Sequence, residues 1–96
     1  MRKRKGNTQQ IQRIAKYEEM MQEAERLINL NIASEEAYAK LHSLIQELET
    51  YYRSDEWKQD FADDEAGRLP KQLKRGVLSE DVIYNLLERF AAVERE

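Results

Sequence analysis

The chain has 96 residues, 36% of them charged and 41% hydrophobic, with 19 acids against 16 bases for a net charge of −3. With no cysteine, it offers no disulfide, no thiol nucleophile and no cysteine-ligated metal. No apolar run approaches the ~20 residues that span a bilayer, and no apolar N-terminal segment reads as a secretory signal, so a cytoplasmic location and no membrane partner are the expectation.

Taken in order, the chain opens on Arg2-Lys3-Arg4-Lys5, four consecutive bases with nothing apolar to bury. Residues 1–7 are expected to be a disordered basic tail, followed by a single helical domain over 8–96. Asn7 is the expected N-cap of a first helix, with Gln10 three residues on. Ile11, Ile14, Tyr17, Met21, Ala24 and Ile28 recur at steps of three and four, one face of a helix over about 8–31. Met20 and Leu27 widen that stripe, and Glu18, Glu19, Glu23, Glu25 and Arg26 are placed largely off it. Asn29 and Asn31 tolerate the left-handed backbone that ends a helix.

Ser34 is the expected cap of a second helix, with Glu35 and Glu36 in the first turn, where the helix dipole favours negative charge. Its stripe is Ala37, Leu41, Leu44, Leu48 and Tyr51, flanked by Tyr38, Ile45 and Tyr52. So short a link makes helices 1 and 2 an antiparallel hairpin over residues 8–53. Ser54 caps a third helix or marks a kink at Arg53-Ser54; Trp57 and Phe61 stand at i and i+4 on it. Gly67 is the expected left-handed C-cap. Pro70 to Arg75 is read as one helical turn closed by Gly76. Ser79 then caps a last helix over 79–94, with the stripe Val82, Ile83, Leu86, Leu87, Phe90 and Val93. The fold class is all-α: an antiparallel hairpin completed by one short and one C-terminal helix, a three- to four-helix bundle.

Charge is concentrated in two neighbouring segments. Asp55, Glu56, Asp60, Asp63, Asp64 and Glu65 face a single base, Lys58, across 55–65. Arg68, Lys71, Lys74 and Arg75 follow directly. Asp60 or Asp64 is expected to hold the basic turn through Arg68 or Lys71, in pairs worth only ~0–1 kcal/mol each. Asp60, Asp63 and Asp64 share a helix face but lack the alternating oxygen ligands and central glycine of a calcium loop. His42, the single histidine, has no nucleophile nearby and no metal-ligand spacing to Glu47 or Glu49. No nucleophile, metal, cofactor or phosphate motif is found, so a non-enzymatic role is the expectation.

Residues 51–87 contain Tyr51-Tyr52, Trp57, Asp60-Phe61, Asp64-Glu65, Gly67 and Leu69-Pro70, then the unbroken run Leu73-Lys74-Arg75-Gly76-Val77-Leu78-Ser79-Glu80-Asp81, then Tyr84 and Leu86-Leu87. In these words the chain resembles the small bacterial family catalogued as Domain of Unknown Function 4298, over about residues 9–92. The resemblance implies a compact bacterial helical domain; it implies no activity and transfers no catalytic residue. The motif suggests a C-terminal mini-core of Trp57, Phe61, Leu69, Leu73, Val77, Leu78 and Leu87.

The expected function is a protein-interaction or adaptor module, acting on an unknown protein partner or as a homodimer. Its candidate interaction surface is Trp57, Asp60, Asp64, Arg68, Lys74, Arg75 and Tyr84. The alternative is a nucleic-acid partner held by the basic tail and the 68–75 turn. A third, metal-dependent reading would use Asp60, Asp63 and Asp64.

Overall fold

The computed structural model describes residues 3–30 and 34–95. Four helices are found there: α1 (Lys3–Asn29), α2 (Glu35–Tyr52), α3 (Asp55–Glu65) and α4 (Glu80–Arg95), with one 3₁₀ turn at Gly76–Leu78. There is no strand among the described residues, so the all-α bundle expected from the sequence is the fold.

Local signals set most of the boundaries. Ser34 caps α2 by accepting the Ala37 N–H at 3.1 Å, and Ser54 caps α3 by accepting the Trp57 N–H at 3.1 Å. Arg53 ends α2, so Arg53-Ser54 is a break between two helices and not a kink in one. At the end of α3 the Gly67 N–H reaches the Asp64 carbonyl and the Arg68 N–H reaches the Asp63 carbonyl, at 3.0 and 2.9 Å. With Gly67 at φ +73°, this is the paired left-handed closure that favours glycine.

Two expectations are corrected. The helical backbone of α1 begins at Lys3, so residues 3–7 belong to a helix rather than to a disordered tail, and Asn7 lies inside it. Met1, Arg2 and the 31–33 link, including Asn31, lie outside the described residues. Residues 70–75 form no helix: one bond from the Leu73 N–H to the Pro70 carbonyl (3.2 Å) closes a turn, and the 3₁₀ turn comes after it.

Helices α1 and α2 are antiparallel, because Tyr17 stacks on Tyr51 while Glu23 pairs with Lys40. Helix α4 runs alongside α1 in the same sense. Its start follows Val77, which is bonded to Glu18, and further along Arg89 bonds Asn29. The 27 residues of α1 span about 40 Å and set the long axis of a 50 × 21 × 21 Å molecule. The core joins Ile14, Met21, Ala24 and Leu27 to Leu41, Ile45, Leu48 and Tyr51, and both to Ile83, Leu86 and Phe90. Trp57, Leu69, Val77 and Leu78 extend it beneath α3, with Phe61, Leu73 and Leu87 half-buried beside them. Among the described residues no helix is long and apolar enough to cross a membrane.

Candidate functional site

Three polar arrangements meet around α3. The first is centred on Asp60, which is fully buried. Its carboxylate takes a two-point grip from Arg13, Nε to Oδ2 at 3.0 Å and Nη2 to Oδ1 at 2.6 Å. Gln10 Nε2 donates to Oδ1 at 2.9 Å, and the Tyr51 hydroxyl donates to Oδ2 at 2.5 Å. Gln10 also donates to Asp63 at 2.8 Å. Four donated bonds therefore satisfy one buried charge, which is what burial of a carboxylate requires. The environment shifts its partners in turn. The Arg13 guanidinium is raised above its ordinary value, chiefly by its hydrogen bond to Asp60. Burial, and then the bond to Asp60, push the Tyr51 phenol well above the usual tyrosine range. The bond from Gln10 does most to hold the Asp63 carboxyl low, helped by Gln59 and Arg68.

The second arrangement clamps the backbone of one residue, Val77, from both sides. The Glu18 carboxylate, only 7% exposed, accepts the Val77 N–H at 2.8 Å, while the Trp57 indole N–H donates to the Val77 carbonyl at 3.0 Å. Gln22 donates to the other Glu18 oxygen at 2.9 Å. Gly76 lets the backbone come this close: a Cβ there would lie 3.1 Å from Met21 Cε and 3.3 Å from a Glu18 oxygen. Gly76 thus sits where the backbone closely approaches α1, and not at the end of the helical turn it was expected to close.

The third is a groove of about 360 Å³ between the end of α3 and the start of α4. Phe61 and Leu78 give it an apolar floor, and Asp64, Glu65, Glu80 and Asp81 surround Arg75 and Ser79 along its sides. Phe61 is the outer ring of a stack: Tyr52 meets Trp57 edge-on at 4.9 Å, and Trp57 lies on Phe61 at 5.2 Å. Arg75 bonds Asp64 at 3.0 Å and the Pro70 carbonyl at 2.9 Å.

The expected interaction surface is therefore divided. Trp57, 6% exposed, and Asp60 are interior groups and present no surface. Asp64 and Arg75 do meet, in the groove. Arg68 pairs with Asp63 at 3.0 Å, so the expected partners Asp60 and Asp64 are replaced by Asp63 for Arg68 and by Arg75 for Asp64. Lys74 is exposed beside Gln72 and Leu73, facing Ala15 and Glu19 of α1 across a second cleft. Tyr84 is 55% exposed on α4 and does not line the groove. Asp60 and Asp63 share Gln10 while Asp64 turns to Arg75, and no group of acids placed to hold a metal ion is found among the described residues. Sequence reasoning missed Gln10, Arg13 and Glu18. Gln10 and Glu18 keep four-residue steps with Ile14, in phase with the buried face, and that phase was the available signal.

The family model described as Domain of unknown function (DUF4298) matches residues 14–95. The chain belongs to this family. The DUF4298 match takes in the whole Val77 clamp, the groove, and Tyr51 and Asp60 of the buried network; Gln10 and Arg13 lie just before it. No curated protein and no solved structure matches the chain.

Proposed function

We propose that this DUF4298 chain is a non-enzymatic protein-interaction module, and that it docks a basic segment of its partner in the groove between α3 and α4. One observation carries the reading: a half-buried aromatic face flanked by four carboxylates, of which only Asp64 has an ion-pair partner among the described residues. Glu65, Glu80 and Asp81 have none. A lysine or arginine entering the groove gains the face of Phe61 for its cation and stem, and carboxylates for its head.

Helix energetics supports the same reading. Asp63, Asp64 and Glu65 occupy the last turn of α3, the negative end of its dipole, with no base in that turn. Arg68 and Arg75 relieve Asp63 and Asp64. Glu65 stays unrelieved, a local cost of the kind that function explains better than stability does. The nucleic-acid alternative draws on Arg68, Lys71, Lys74 and Arg75, and two of these four already sit on carboxylates, which lowers what the turn offers a phosphate backbone.

Fluorescence anisotropy with a labelled lysine- and arginine-rich peptide tests the proposal. Binding is expected at low salt, weakened at least about tenfold by the double reversal Glu80→Lys with Asp81→Lys. A peptide that does not bind, or that binds the reversed variant equally well, removes the groove as a docking site.

A further inference from the structure

We propose that Arg75 occupies the groove as the chain's own stand-in for the partner's basic side chain, and that docking displaces it from Asp64. The inference rests on the groove reading above and adds how that site is kept closed. Arg75 is the one base lining the groove. Its Nε lies 3.0 Å from Asp64 Oδ1, and its Nη1 donates to the Pro70 carbonyl at 2.9 Å. A guanidinium set on a carboxylate, in a groove floored by Phe61, is the arrangement offered to an incoming lysine or arginine.

The aspartates of α3 differ in how firmly they are held. Asp60 is fully buried and takes four donated bonds. Asp63 is bonded by Gln10, Gln59 and Arg68. Asp64 has Arg75 as its one side-chain partner among the described residues, and the side chains of Arg75 and Asp64 are 32% and 29% exposed. Water screens a partly exposed pair of this kind, so it exchanges readily. Of the three aspartates, Asp64 is the one an incoming base can win.

Release of Arg75 leaves the fold intact. Its backbone is held independently of its side chain: its carbonyl accepts the Leu78 N–H at 2.9 Å, and Val77, two residues on, is gripped by Glu18 and Trp57. The Pro70 carbonyl keeps the Leu73 N–H, at 3.2 Å, when the guanidinium leaves. The side chain therefore swings on a fixed backbone. Because one cation replaces another at Asp64, Arg75 sets a threshold that a basic segment must exceed in order to dock.

Fluorescence anisotropy with the labelled lysine- and arginine-rich peptide tests this on the wild type, Arg75→Gln, Asp64→Asn and the double variant. Arg75→Gln is expected to bind at least about threefold tighter than the wild type. In the Asp64→Asn background the same replacement is expected to gain less, because the pair it would open is already gone; a charge acting only at a distance gains equally in both backgrounds. NMR follows the Arg75 Nε–H of the unaltered chain, and at peptide saturation its signal is expected to move toward that of a solvent-exposed arginine. Circular dichroism checks that the variants are folded, and the NMR measurement decides if one is not. An affinity of Arg75→Gln within about threefold of the wild type, an equal gain in both backgrounds, or an Nε–H signal that does not move that way overturns the displacement and leaves the groove standing as a docking site. A peptide that binds none of these chains removes both.

Discussion

Asp60 shows how one side chain can organise an end of the molecule. Its carboxylate is the common acceptor for donors from α1 and α2, at sequence separations of 47, 50 and 9 residues. Asp60→Ala leaves Arg13 charged and partly buried against Tyr51 with only the exposed Glu56 carboxylate, at 3.8 Å, as counter-ion, so a loss of about 3–5 kcal/mol is expected from urea unfolding. A loss below about 1 kcal/mol would show that Arg13 finds water as readily as it finds Asp60. Gly76 makes a second case at the same scale. The carboxylate its new Cβ would crowd is tied to the Val77 N–H, so Glu18 cannot withdraw without breaking the clamp, although Met21 can bend. Gly76→Ala is expected to cost about 1–3 kcal/mol, and Met21→Ala should recover part of that cost in the double variant. Neither role was legible in the sequence. Asp60 reads as one of six acids on a short helix, and only tertiary packing distinguishes it from Asp63 and Asp64.

At the scale of elements, what was legible was local. Ser34, Ser54 and Gly67 act within three residues of themselves, through bonds a linear reading can anticipate. Apolar spacing placed α2 and α4 for the same reason. The start of α1 was not legible, because Gly6 and Asn7 are weak helix formers and Asn7 is a plausible cap, yet the helix runs through both. Glu18 was assigned to the solvated side because charge outweighs phase in a periodicity argument. These local devices can be tested separately from packing. Gly67→Ala introduces a Cβ that meets nothing within 4 Å, so its cost is backbone strain alone, about 1–2 kcal/mol. Ser54→Ala removes the α3 cap and the bond from its hydroxyl to the Tyr51 carbonyl, and a loss of about 1 kcal/mol is expected. The two sites lie at opposite ends of α3, so their effects in thermal unfolding should add.

For the whole molecule, the ion pairs and the buried phenol set the pH range over which the bundle is stable. On the acid side, hydrogen bonds from Arg26 and then Lys40 lower Glu23 to about 2, and Asp63 is also lowered. A depressed carboxyl contributes stability that is fully present above its unfolded value, ~4, and lost as pH falls through its folded value. The acid limb is therefore expected to begin near pH ~4 and to steepen toward ~2. On the alkaline side the sign reverses. Tyr51 is raised, so its contribution is fully present below the unfolded tyrosine value of ~10 and is lost as pH climbs beyond it. Tyr51→Phe separates this effect from the titration of the other tyrosines and the lysines. It keeps a ring to stack on Tyr17 but removes the hydroxyl that bonds Asp60, at a neutral-pH cost of about 1.5–3 kcal/mol. The stability gap between wild type and Tyr51→Phe should stay constant from neutrality to about pH 9, then narrow above about pH 10, because only the wild type has this phenol to ionise on unfolding. Chemical denaturation of both chains at each pH measures the gap directly. A gap that stays constant through pH ~11 would mean that Tyr51 ionises as easily in the folded chain as in the unfolded one, contrary to its burial against Asp60.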